Sequence, residues 1–123
     1  MTLPELDVEF LTEKGYKYET QVEGGVLNIV FHEYRLPESY RPTVVDLLVR
    51  LPAGYPNGRP DMFWTRPTVT LANGTRPRTA DAMETYLGLQ WQRWSRHGTT
   101  WRPGVDCLRT FMASIKSELQ KGI

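Results

Sequence analysis

The sequence holds one cysteine, Cys107, and two histidines, His32 and His97, in 123 residues. A lone cysteine closes no internal disulfide, and two distant histidines lack the spacing of a zinc site, so neither a metal nor a cofactor is expected. Long apolar runs are missing too. The longest, such as Ile29-Val30-Phe31, are three residues, against about 18 for a membrane span. The start does not read as an export signal either, because Glu5, Asp7 and Glu9 stand where a basic start and an apolar run belong. The expectation is a cytoplasmic protein with no membrane contact.

What is present is the composition of a globular chain, 40% hydrophobic and 24% charged, and its length suits one domain over 1–123. A net charge of +1 hides a polarity: residues 1–40 carry eight acids and three bases, residues 41–123 six acids and twelve bases. All four tryptophans lie in the basic part.

Thr2-Leu3-Pro4-Glu5 has the form of a capping box, and Leu3, Leu6, Phe10 and Leu11 follow at helical spacing. A helix over 3–14 is predicted, ended by Gly15. From Tyr16 the period becomes two, Gly24-Gly25 makes a hairpin turn, and Val26–Arg35 is the return strand. A third strand spans Thr43–Leu51. Pro52–Pro60 is a loop, Met62–Trp64 with Thr68–Leu71 a broken fourth strand, and 72–82 a long exposed loop. Pro103 suits a first helical turn, and Val105, Leu108, Met112, Ile115 and Leu119 carry an apolar stripe to the C-terminus. The order predicts an α+β fold: an N-terminal helix, an antiparallel meander of about four strands, and a C-terminal helix packed on the sheet.

Tyr55-Pro56-Asn57-Gly58-Arg59-Pro60 resembles the YPxxxP element of the ubiquitin-conjugating (UBC-like) superfamily and its RWD relatives. Trp101-Arg102-Pro103, opening the last helix, is similar to the WxP element of the same superfamily. The closest likeness is to divergent bacterial members, prokaryotic family E, through Trp91-Gln92-Arg93-Trp94-Ser95-Arg96-His97 and Trp101–Asp106. The resemblance implies a UBC-like fold and a role in receiving a ubiquitin-like protein from a ubiquitin-activating-like enzyme. It makes Tyr55, Pro56, Pro60, Trp101 and Pro103 motif residues. The first helix is expected to carry Glu5, Asp7, Glu9 and Glu13 outward; the resemblance makes it the docking surface for the activating enzyme, with a solvated acidic face as the other reading. Where eukaryotic members carry a nucleophilic cysteine ahead of WxP, this chain has Arg93, and it holds no His-Pro-Asn.

An acyl carrier needs an exposed nucleophile, a base beside it and a donor for the oxyanion. Ser95, six positions before Trp101, is one candidate, with a solvated loop serine as the other reading. It needs His97 or a partner's base, yet residues two apart do not face each other in a regular helix or strand. His97 suits a base or an acid near neutrality, or else a bond that fixes the loop before the last helix. Cys107, placed in the second helical turn, is either a half-buried structural thiol or a nucleophile. Arg96 and Arg102 gather donors near a helix start and are expected to meet an anionic partner group. Tryptophans interleaved with arginines also suit nucleic acid, but the modest charge argues against it, and a protein partner is expected. Two functions follow: an enzyme that accepts the acyl end of a ubiquitin-like protein, or a non-catalytic UBC/RWD-like module that positions it with no covalent intermediate.

Overall fold

A computed structural model describes residues 2–98 and 100–123. The elements are α1 (Glu5–Lys14), β1 (Lys17–Glu23), β2 (Val26–Arg35), β3 (Tyr40–Arg41), β4 (Val44–Leu51), β5 (Phe63–Arg66), β6 (Thr70–Leu71), β7 (Ala82–Tyr86), β8 (Leu89–Trp94) and α2 (Leu108–Gln120). Six strands form one antiparallel sheet in the order β1-β2-β4-β5-β8-β7, and β3 pairs with β6. This is the expected α+β, UBC-like order of helix, antiparallel sheet and helix.

The count of about four strands is corrected by the β7–β8 hairpin and by the β3–β6 pair. The hairpin turns at Leu87-Gly88, both at positive φ (55° and 74°). Leucine is a poor residue for that conformation, so the usual Asn-Gly turn signal is missing. Tertiary pairing holds it instead: β8 lies between β5 and β7, with Phe63 opposite Trp94 and Glu84 opposite Trp91.

α1 begins at Glu5 rather than Leu3, and the capping box does not form. Pro4 is extended and its carbonyl accepts the N–H groups of Asp7 (3.0 Å) and Val8 (3.1 Å). Gly15 ends the helix at φ 70°, as its freedom at positive φ allows. The buried face is Asp7, Phe10 and Leu11, whereas Leu6 is 76% exposed. Asp7 therefore points inward, against the expectation of an outward acidic face, and is only 2% exposed.

α2 begins at Leu108 because Gly104, at φ 82°, breaks the turn that Pro103 starts. Val105 consequently lies outside the stripe and is 59% exposed, and Cys107 is the N-cap rather than a second-turn residue. Leu108, Met112, Ile115 and Leu119 are buried against the sheet with Phe10, Leu11, Phe31, Leu47 and Trp94. On the opposite face Val30, Leu48, Trp64 and Trp91 form a smaller cluster. Trp91 and Trp94 face opposite sides because side chains three positions apart in a strand do.

The 72–82 segment, expected as an exposed loop, is anchored at its C-terminal end, where Pro77 and Ala80 are buried. The Gln92 amide donates to the carbonyls of Ala80 (2.8 Å) and Val69 (3.0 Å). Ser95 N–H donates to the Thr79 carbonyl at 3.0 Å.

Candidate functional site

Antiparallel pairing of β5 with β8 sets Phe63 opposite Trp94. Two residues before Phe63 and three after Trp94, the same sheet end therefore brings Asp61 to His97. His97 Nδ1 lies 2.9 and 3.0 Å from the two Asp61 carboxylate oxygens, across 36 positions of sequence. Nδ1–H donating to Asp61 leaves Nε2 as the free acceptor, and no other side chain among the described residues bonds the ring. Arg59 braces Asp61 and the backbone just after His97: Nη2 donates to Asp61 at 3.2 Å and Nη1 to the Gly98 carbonyl at 3.0 Å. Burial raises the Asp61 pKa, but the bonds from His97 and Arg59 outweigh it and hold the carboxyl below the ordinary aspartate value.

His97 is 57% exposed on the rim of a cleft of about 410 Å³. The walls come from Arg59-Pro60, from Trp101 and from the α2 residues Thr110, Ser114 and Ser117. Trp101 Nε1 donates to the Pro56 carbonyl at 2.8 Å, and its ring lies 6.3 Å from that of Tyr55. The YPxxxP and WxP elements are thus joined at the cleft. Below them Tyr55 OH donates to buried Asp7 Oδ2 at 2.5 Å, tying the loop to α1. Burial, and then the Asp7 carboxylate, push the Tyr55 pKa well above the usual phenol value. Tyr55→Phe strands that carboxylate without its donor and is expected to destabilise the fold by about 1–3 kcal/mol. Urea unfolding checks this, and an unchanged midpoint refutes it.

The other sequence candidates do not share one place. Ser95 is half-buried, its Oγ has no hydrogen bond among the described residues, and it does not line the cleft. Cys107, half-buried at the N-cap, is also outside the cleft wall; its N–H donates to Thr110 Oγ1 at 3.0 Å. Arg96, expected to meet a partner, is buried: its guanidinium donates to the Arg78 carbonyl at 3.0 and 3.2 Å and to Ile123 O. Such a side chain offers a protein surface nothing from outside. Arg102 remains exposed, with its N–H bonded to Asp106 Oδ2 at 2.7 Å. Glu5 and Glu9 are exposed on α1. Asp61 and Arg59 escaped the sequence reading because neither has a local spacing to His97. Among the described residues no three His, Cys, Asp or Glu side chains converge as a metal site.

The model of prokaryotic E2 family E matches residues 3–122. The chain belongs to prokaryotic E2 family E. No curated protein and no solved structure matches it at a significant level. As a family E member the protein has an E2-like role in bacterial ubiquitin-like conjugation. No helix among the described residues is long and apolar enough to cross a membrane.

The carboxylates around this E2-like core set its acid response. Burial raises Glu84, but the Trp64 N–H, Tyr86 OH and Arg93 outweigh it; Lys121 above all lowers Glu118, against burial. With Asp61, these are groups whose folded pKa lies below the unfolded value. Their contribution is complete above the ordinary carboxylate range and is lost as pH falls through the lowered values. Thermal midpoints are expected to be flat near neutrality and to fall below about pH 4. A midpoint that stays level down to pH 3 contradicts this.

Proposed function

We propose that this family E protein positions the C-terminal end of a ubiquitin-like protein in the His97 cleft, still joined to the activating enzyme's thiol, for transfer to an amine. As the amine nitrogen attacks the thioester carbonyl, His97 Nε2 takes its proton. The C–N bond forms, the C–S bond breaks, and His97 returns the proton to the departing sulfur. The supporting observation is the Asp61-held imidazole at the rim of the cleft, with Nε2 unengaged among the described residues. The exposed acids Glu5 and Glu9 of α1 are the proposed contact for the activating enzyme, with Arg102 meeting the carrier protein near the cleft. The reaction is placed in the cytoplasm, where ATP-dependent activation supplies the thioester.

A covalent relay through Ser95 or Cys107 is the alternative outcome of one experiment. The protein is mixed with the activating enzyme and ubiquitin-like protein of its own pathway and ATP, then run on non-reducing gels with and without thiol and hydroxylamine. Ser95→Ala, His97→Ala and Cys107→Ala are run alongside. The expected result is no adduct on this chain and loss of amide product in His97→Ala alone. A hydroxylamine-sensitive, thiol-resistant adduct absent from Ser95→Ala, or a thiol-labile one absent from Cys107→Ala, overturns non-covalent positioning.

A further inference from the structure

The end of β2 changes phase before it meets α2. Leu27, Ile29 and Phe31 alternate into the core beneath the helices. Between the pairs Phe31↔Leu47 and Tyr34↔Val45, β2 then holds two residues, His32 and Glu33, where β4 holds only Asp46. This is a β-bulge, with Glu33 at φ 55°. The extra residue resets the alternation, so Tyr34 and Leu36, rather than Glu33 and Arg35, follow Phe31 onto the α2 side.

Two hollows open where that strand end meets the helix. One, of about 340 Å³, has Leu36, Pro37 and Leu119 as its apolar floor; the other, of about 330 Å³, reaches back to Gly15 and Tyr16 after α1. Tyr34, Arg35 and Lys116 line both, which makes them one groove. Each half lies in the range of ligand sites, roughly 300–1,000 Å³. Of the other charged groups in the groove, Glu33 is paired with Lys17 and His32 with Asp46. Arg35 and Lys116 are exposed and make no ion pair among the described residues, and the Tyr34 hydroxyl makes no hydrogen bond among them.

Two uncompensated cations and a free phenol donor beside an apolar floor match a chain that carries carboxylates next to a large apolar side chain. A phosphate backbone would leave the Leu36–Pro37–Leu119 floor unused, and two cations are few for its binding. Lys116 leaves α2 roughly opposite Ser114, a wall residue of the His97 cleft, so the groove and the cleft lie on different sides of the helix.

We propose that this groove docks an acidic segment of a partner protein, its carboxylates on Arg35 and Lys116 and an apolar side chain on the floor of Leu36, Pro37 and Leu119. The occupant stays bound while the cleft is in use. The site is independent of the chemistry assigned to His97 and stands whether or not that residue transfers a proton.

The test is an NMR titration of the full chain at low salt with N-acetyl-Glu-Leu-Glu-Leu amide, following the Tyr34, Leu36 and Gln120 amides. The Gln-Leu-Gln-Leu peptide removes the charge, the Glu-Ser-Glu-Ser peptide removes the apolar contact, and a decathymidylate strand stands for nucleic acid. The acidic, apolar peptide should give saturable shifts that weaken as salt is added, and each of the other three should bind at least about tenfold more weakly. Lys116→Glu, a change at an exposed position, should abolish the shifts and leave the unfolding midpoint unchanged. No shift with the acidic peptide, equal binding by its neutral form, or full binding by Lys116→Glu overturns the assignment. Tighter binding of the decathymidylate gives the groove to nucleic acid instead. Diffusion that slows as the protein is concentrated, and recovers in Lys116→Glu, gives it to a second copy of the chain; both results also overturn the proposal.

Discussion

His97→Ala is expected to slow amide formation by about 10²–10⁴-fold, the usual contribution of a positioned proton-transfer group. The loss should fall on turnover rather than on binding, since the exposed ring is bonded only to Asp61 among the described side chains. Asp61→Asn should have a smaller effect in the same direction: the amide keeps an acceptor for Nδ1–H but removes the charge that stabilises the imidazolium. Full turnover by His97→Ala, with the ubiquitin-like protein still bound, would assign the His97–Asp61 pair to loop fixation only.

The largest loss of stability is expected at Gln92, a polar residue that is fully buried. Its Oε1 accepts from Val69 N–H (2.7 Å) and Thr65 Oγ1 (3.1 Å), and its amide donates to the Val69 and Ala80 carbonyls. Both donors and both lone pairs of the amide are therefore used. Gln92→Leu keeps the volume approximately but takes the partner from the Val69 N–H, the Val69 carbonyl and the Thr65 hydroxyl, each a cost of about 1–3 kcal/mol that does not simply add, and leaves the Ala80 carbonyl only the 3.4 Å bond from Arg76 Nη1. A destabilisation of about 3–5 kcal/mol is expected by urea unfolding. Faster proteolysis near 77–80 should accompany it, because the Gln92 amide anchors that segment to the sheet. A loss below about 1 kcal/mol contradicts the anchoring role.

Local pattern was sufficient wherever the constraint itself is local. The β1–β2 hairpin follows from the alternation up to Val22 and the Gly24-Gly25 turn, and it pairs in register from Lys17↔His32 to Glu23↔Val26. Gly15 stops α1, and the stripe Leu108, Met112, Ile115 and Leu119 faces the core. In each case neighbours three, four or two positions apart decide which side of an element is apolar. The motif residues Tyr55 and Trp101 were also legible, because their order along the chain resembles that of a known superfamily.

Tertiary structure alone decided the rest. Asp7 lies on a helix with Glu5, Glu9 and Glu13 and shares their charge, yet it turns inward because Tyr55, 48 positions away, supplies its donor. Arg96 and Arg102 read alike in sequence, but the Arg78 and Ile123 carbonyls bury the first and leave the second in solvent. The meeting of His97 with Asp61 depends on β8 lying beside β5, an adjacency that no spacing within either strand encodes. By itself the sequence determined where the first helix stops, the first hairpin, the α+β class and the family likeness, all products of short-range periodicity and motif order, whereas both helix starts lie later than the pattern predicts. The partners of its buried and reactive polar groups were set only by the fold, because a hydrogen bond depends on distance in space and that distance is fixed by sheet order and register.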